Sequence, residues 1–287
     1  MSYIVYAWLT SITYGVGSVV GKIATKHHIN NPWLYNFAWW VFTLICIVPF
    51  AIAGGVGWPT DWSSMVWLGV ANAVSGLLFI HAFYAVDLSI LSPLSNLRIP
   101  LVAISGVLLL GETLTVMQWI FIAVIFIAGG FVNMDERMNI RSIFNKKVVL
   151  AMSWILTSVW FNSLIKYASQ RNGFWEVSLW STVLALIFVL PTIPLFYNGV
   201  IKTSIRHYYG LILSTILFTA GFLFSVKALG ENVSISMAII SLPIAMFITM
   251  ILSVFAPKLL EKRTVKVYAV RFAAATVMFL AALGLSR

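Results

Sequence analysis

The sequence predicts an all-α membrane protein whose ten transmembrane helices form two inverted five-helix repeats. Three observations predict this. First, 61% of the 287 residues are hydrophobic and only 9% are charged, against about 25% charged in an ordinary soluble domain. No soluble fold of this length hides so much apolar surface, so the bilayer is the solvent for much of the chain. Second, apolar runs recur at 3–25, 33–53, 64–86, 89–110, 116–133, 148–168, 175–196, 208–227, 234–256 and 265–285. A helical span needs about 20 such residues. A transmembrane barrel would instead show segments of about 10 residues alternating apolar with polar. Third, one unit occurs twice. From Phe83 to Thr115 a serine-rich entry leads to Pro100 and an apolar run closed by Glu112-x-x-Thr115; Phe224 to Thr264 repeats that order with Pro243 and Glu261-x-x-Thr264. Duplicated units with helices broken at matching places point to a carrier built from two repeats.

The elements follow in order. The first run has no basic leader and no A-x-A site, so its helix is expected to be retained. Asn30-Asn31-Pro32 opens the second helix, and Gly54 to Pro59 separates the second from the third. The third and fourth helices form a hairpin turning near Asp87 to Ile90. A charged tight turn, Gly111 to Thr115, ends the fourth. The longest polar connection, Met134 to Lys147, lies near the midpoint. It divides the chain into a first repeat over 1–133, a connecting loop over 134–147 and a second repeat over 148–287. Pro191 and Pro194 are expected to kink the seventh helix, which Asn198-Gly199 follows. Trp33, Trp58, Trp62, Trp119, Trp175 and Tyr208 stand at run ends, as interfacial belts require. Five spans per repeat set the two repeats in opposite orientations.

The net charge is +10, yet the cations sit in short loops, which reads as membrane topology and lipid contact rather than nucleic-acid binding. Lys26, Arg137, Arg141, Lys146, Lys147, Lys202, Arg206, Lys258, Lys262, Arg263 and Lys266 fall on one side; the other has little beyond Arg171, Lys227 and Arg287. The first side is therefore expected in the cytoplasm and both termini outside. Cys46, the single cysteine, forms no internal disulfide or metal cluster. His27-His28 and His207 have no metal-ligand pattern, and there is no P-loop or HExxH. Neither an enzyme nor a cofactor is expected.

Tyr14-Gly15 with Lys22, Pro100 and the closing Leu110-Gly111-Glu112-Thr113-Leu114-Thr115 resemble the drug/metabolite transporter superfamily, in particular its ten-helix EamA-type members. The family often reads leucine-glycine-glutamate-x-leucine-threonine or serine at that closing turn, and usually has tryptophan where Tyr14 stands. The resemblance implies a cell-membrane carrier of small organic metabolites, with a central cavity between two five-helix units. Many members are drawn with both termini in the cytoplasm, opposite to the charge reading.

Arg98 is the sharpest candidate. A mid-membrane arginine is costly and should face the protein interior or water. Its planar fork of donors suits a carboxylate or phosphate. Ser92, Ser95, Arg98 and Ser105 form one polar stripe, and folding about the Asp87 turn sets His81 near the depth of Arg98, with Tyr84 on the same face as His81. The competing reading pairs Arg98 with Asp87 or with carbonyls freed by Pro100. Ser18 and Lys22 correspond to Asn162 and Lys166, each pair at i,i+4; the lysines are either symmetry-related cavity cations or snorkel to headgroups. Tyr14, Trp39, Trp40, Trp160 and Trp180 are candidates to line a pocket, with Trp160 foremost, against the alternative of belts and packing. Ser95, Ser18, Asn162 and Ser241 would supply hydrogen bonds. Glu112 and Glu261 read as structural helix ends. The expected activity is secondary transport of a small anionic or zwitterionic metabolite, such as an amino acid, by alternating access. His81 offers a route for proton coupling. The alternatives are a flippase for a lipid-linked sugar or headgroup, and a scaffold or receptor that transports nothing.

Overall fold

The computed structural model describes residues 2–27, 31–85, 96–132, 146–197, 208–245, 247–248 and 265–286. Among them run α1 (Tyr3–His27), α2 (Pro32–Ala53), α3 (Trp62–Ala85), α4 (Arg98–Leu110), α5 (Val116–Val132), α6 (Lys146–Ser169), α7 (Phe174–Val189), a 3-10 helix (Leu190–Leu195), α8 (Tyr209–Glu231), α9 (Val233–Ile240) and α10 (Val265–Leu285). The described residues contain no strand. The start and stop signals act as the sequence predicts. The Asn31 side chain accepts from the amides of Trp33 and Leu34 at the head of α2, and Pro32 takes the first turn, where no donor is needed. Pro191 and Pro194 do more than kink the seventh helix: α7 gives way to the 3-10 turn that contains them.

Six helices are long and apolar enough to cross a membrane: Tyr3–Gly21, Pro32–Ala53, Trp62–Ala85, Val149–Ser169, Phe174–Leu195 and Tyr209–Glu231. Arg98–Leu110, Val116–Phe131 and Phe272–Leu285 are apolar but shorter. The sequence expectation of ten full spans is thus met by six among the described residues. One physical reason is that the predicted ninth run is not continuous. α9 stops at Ile240, Ser241 to Pro243 are non-helical, and helix resumes at Ile244. α4 likewise begins only at Arg98, after a turn at Asn96-Leu97, so Pro100 stands in a first turn rather than mid-helix.

The surface is apolar, with Leu108 and Leu109 each 75% exposed, while serines, threonines and asparagines are buried inside. Most of those inner hydroxyls donate to a carbonyl one turn back, as Thr10 does to Tyr6 and Thr182 to Ser178, so they cost the interior little. α1 lies along α8 and α3 along α6; α2 meets α7, α4 meets α9 and α5 meets α10. The loops at 54–61, 111–115, 170–173 and 231–232 share one end of the bundle with the start of α1 and the end of α10. Asp61 N donates to Asn172 Oδ1 (2.9 Å), Trp180 Nε1 to Gly57 O (2.9 Å), and Trp8 Nε1 to Ser286 Oγ (3.3 Å). Asp87 and Ser92, the 134–145 part of the expected connecting loop, Asn198-Gly199, Glu261 and Thr264 lie outside the described residues.

Candidate functional site

Two charged groups organise the interior, one buried and one half-buried, and they are built differently. The first is Glu112. Gly111 closes α4 in the left-handed region (φ 66°), a conformation that glycine adopts without a Cβ clash. The Glu112 amide then donates back to the Gly106 carbonyl (3.0 Å), which turns the side chain inward. Its carboxylate accepts from Lys166 Nζ (2.6 Å), from the amides of Val233 (2.6 Å) and Ser234 (3.1 Å), and from the Ser234 hydroxyl. The two amides head α9, so the helix dipole adds to the attraction. A Cβ on Gly106 would collide with Ser234 and Glu112; glycine there lets α4 approach α9. Thr115 completes the turn as a reciprocal cap with Gln118 at the start of α5. The closing motif is therefore a buried clasp joining α4, α6 and α9.

The second is Arg98. It opens α4, whose first turn has no side-chain cap, and its guanidinium lies 5.6 Å from the centre of the Trp154 ring. Among the described residues no carboxylate pairs with it, and its Nε is buried without a hydrogen-bond partner. A cation at a helix N-terminus, where the dipole is also positive, leaves a net positive spot.

That spot faces a cavity of about 420 Å³. α1, α2, α3, α6, α8 and α9 line it together with Arg98, and the broken segment Ser241 to Pro243 forms part of the wall. The walls are aromatic and neutral polar: Trp39, Trp40, Trp154, Phe161, Phe218 and Phe222 alternate with Ser, Thr and Asn side chains. Among the described lining residues Arg98 is the one charged group. An aromatic and polar chamber whose one charged group among the described lining residues is a cation can hold an organic anion.

Of the residues the sequence singles out, the cavity brings together Arg98, Tyr14, Ser18, Asn162 and Ser241. The Tyr14 hydroxyl meets Ser225 Oγ (3.5 Å), Ser18 donates to the Tyr14 carbonyl (2.7 Å), Asn162 Nδ2 donates to Met237 Sδ (3.6 Å), and Ser241 donates to the Met237 carbonyl (2.8 Å). Four expected residues lie off the wall. His81 packs edge-on to Trp33 (4.3 Å), its Nδ1 2.8 Å from the Leu77 carbonyl. Tyr84 packs against Tyr35. Trp160 lies on the outside against Trp67. Lys166 is neither a cavity cation nor a snorkelling one, because Glu112 holds it. Ser95 and the Lys22 side chain lie outside the described residues. Sequence reasoning missed the cavity residues Asn36, Thr43, Asn72 and Ser75. Their signal was present as polar side chains at helical spacing inside apolar runs.

A model of the EamA-like transporter family matches residues 1–134. A Sinorhizobium sp. protein, named as an uncharacterized transporter in the cobO 3' region, is 31% identical over 134 residues, covering 44% of this chain and 90% of its own length. A solved crystal structure superposes with a TM-score of 0.77 over 99% of this chain and 98% of that one. Its 12% identity speaks for the fold alone.

Proposed function

The chain belongs to the EamA-like transporter family, and on that premise we propose that it is a secondary carrier of a small organic anion in the cell membrane. Two inverted five-helix repeats, 1–133 and 148–287, would work by alternating access around the central cavity. The observation that carries the reading is Arg98: a half-buried guanidinium, its Nε fully buried, facing a chamber that holds no counter-charge among its described lining residues.

The repeat arrangement is supported by how the helices meet. If α6 to α10 (with the 3-10 turn counted as part of α7) correspond to α1 to α5, then α1 lying on α8 exchanges with α3 lying on α6. The pairs α2–α7, α4–α9 and α5–α10 each map onto themselves. A two-fold relation between the units requires that pattern. Both broken segments, at Arg98 and at Ser241 to Pro243, border the cavity, which is where discontinuous helices bind substrate in carriers of this kind. The loop-charge asymmetry supports placing both termini outside the cell.

Transport is tested in proteoliposomes by counterflow of a panel of radiolabelled carboxylates and phosphates, with wild type beside Arg98→Gln. Wild type should exchange at least one anion of the panel. The variant should lose that flux by a hundredfold or more while reconstituting normally. Equal flux from the two proteins would remove Arg98 from the site.

A further inference from the structure

We propose that the Glu112 clasp is a gate: it seals one end of the cavity, and it parts each time the transported anion passes by that end. This rests on the carrier reading and adds to it the place where the chain opens.

The clasp stands one helical turn beyond the cavity on two helices at once. On α6, Trp154, Ser158 and Asn162 line the cavity, and Lys166 is the next residue of that i,i+4 stripe. On α9, Met237 lines it, and Val233, whose amide donates to Glu112, stands four residues earlier. Asn162 Nδ2 lies 3.6 Å from Met237 Sδ, so the two helices converge there. The Glu112 carboxylate joins them one turn farther on.

The third partner is α4. The Ser105 and Ser163 hydroxyls, 2.8 Å apart, tie it to α6, and Val102 packs with Ile165, Val233 and Met237 in one buried cluster. On the unit division proposed above, α4 belongs to the first unit and α6 and α9 to the second. An anion can leave by this end only if α4 draws away from both. α4 also carries Arg98 at its head, and its 13 residues span about 20 Å. One helix thus holds the binding group at one end and the gate at the other, so a motion that frees Glu112 shifts Arg98 as well.

The chemistry of the contact suits a gate. A buried ion pair is costly to break where its members stay in the interior. An opening end admits water, which solvates the carboxylate and the ammonium as they part. An apolar seal of the same size would instead expose hydrocarbon.

The test reads access to the cavity. In a Cys46→Ser background, Ser158→Cys puts a thiol on the cavity wall, and an anionic, membrane-impermeant methanethiosulfonate is applied to right-side-out and inside-out vesicles. Trp58→Cys, at an exposed position of the 54–61 loop, marks which vesicles present the clasp side. From that side the Ser158→Cys thiol should react far more slowly than the Trp58→Cys thiol. It should react at least tenfold faster once Glu112→Gln/Lys166→Met removes the ion pair without stranding a charge. Asn31→Ala, which strips the α2 cap, controls for lost stability and should leave the rate unchanged. A starting rate equal to that of Trp58→Cys, no change in the clasp variant, or an equal rise in Asn31→Ala overturns the gate. A cross-link gives a second reading. Ser105→Cys/Ser163→Cys replaces two hydroxyls 2.8 Å apart with thiols in disulfide reach, bridging α4 to α6. Oxidation should cut counterflow of the carboxylate and phosphate panel at least tenfold, and reduction should restore it. Undiminished flux across the oxidised bridge means that α4 and α6 need not part: the gate falls and the carrier reading stands. If wild type exchanges no anion of the panel, the carrier reading falls and the gate falls with it.

Discussion

Glu112 and Arg98 are both charged groups inside the bundle, and their surroundings differ: Glu112 is buried and saturated, whereas the half-buried Arg98 has no charged partner among the described residues. The carboxylate meets an ammonium, two helix-head amides and a hydroxyl within its own fold. The guanidinium has an aromatic ring beside it and, among the described residues, no anion. A buried charge that is fully paired can hold a structure together, and removing one partner strands the other. A buried charge without a partner contributes nothing to the fold in the ligand-free state. Its retention makes sense where a ligand supplies the missing half. The contrast separates the clasp from the proposed binding group without any knowledge of the substrate.

The largest expected effect breaks the clasp. Glu112→Ala leaves Lys166 buried and the head of α9 uncapped, and should destabilise the protein by about 3–5 kcal/mol, read from unfolding in detergent. Replacing both partners, as in Glu112→Gln with Lys166→Met, should cost far less than Glu112→Ala, because no uncompensated charge remains. Gly106→Ala disturbs the clasp from the side. The added methyl must displace Ser234 or Glu112, for an expected loss of about 1–3 kcal/mol measured in the same way.

The smallest effect is a pH dependence. Glu112 stands in the turn between α4 and α5. Burial alone would raise its carboxyl, but the hydrogen bonds from Lys166, the Ser234 hydroxyl and the amides of Val233 and Ser234 outweigh it and hold the carboxyl below its ordinary 4.5. A carboxyl held low in the fold contributes stability that is complete above its unfolded value and is lost as the pH falls through the folded one. The stability gap between wild type and Glu112→Gln/Lys166→Met should therefore be constant above pH 4.5 and change in the clasp's disfavour below it. A gap that stays constant through the acid range would mean that the carboxylate is not what the clasp depends on.

The sequence made the contrast half visible. Composition fixed the membrane class, and an arginine two residues before Pro100 in an apolar run announced a costly charge. What it could not reveal was partnership across long separations. Glu112 reaches Lys166 and Ser234 only because Gly106 lets α4 approach α9, so a helix-end glutamate that reads as an exposed structural residue is in fact buried. Nor does one helix face reveal which way it points. Neighbouring residues diverge by about 100°: Ile80 lines the cavity while His81 turns to Trp33, and Phe161 lines it while Trp160 turns outward to Trp67. The asparagines of α2 and α3 were visible as polar residues in apolar runs, but nothing in the chain order said that they line one cavity.

The most direct test of the central claim needs no substrate: the ligand-free melting temperature of Arg98→Gln against wild type in the same nanodisc. An unpartnered charge predicts a value equal to or above wild type. A fall comparable to that of Glu112→Ala would mean that Arg98 holds the fold together and is not reserved for a transported anion.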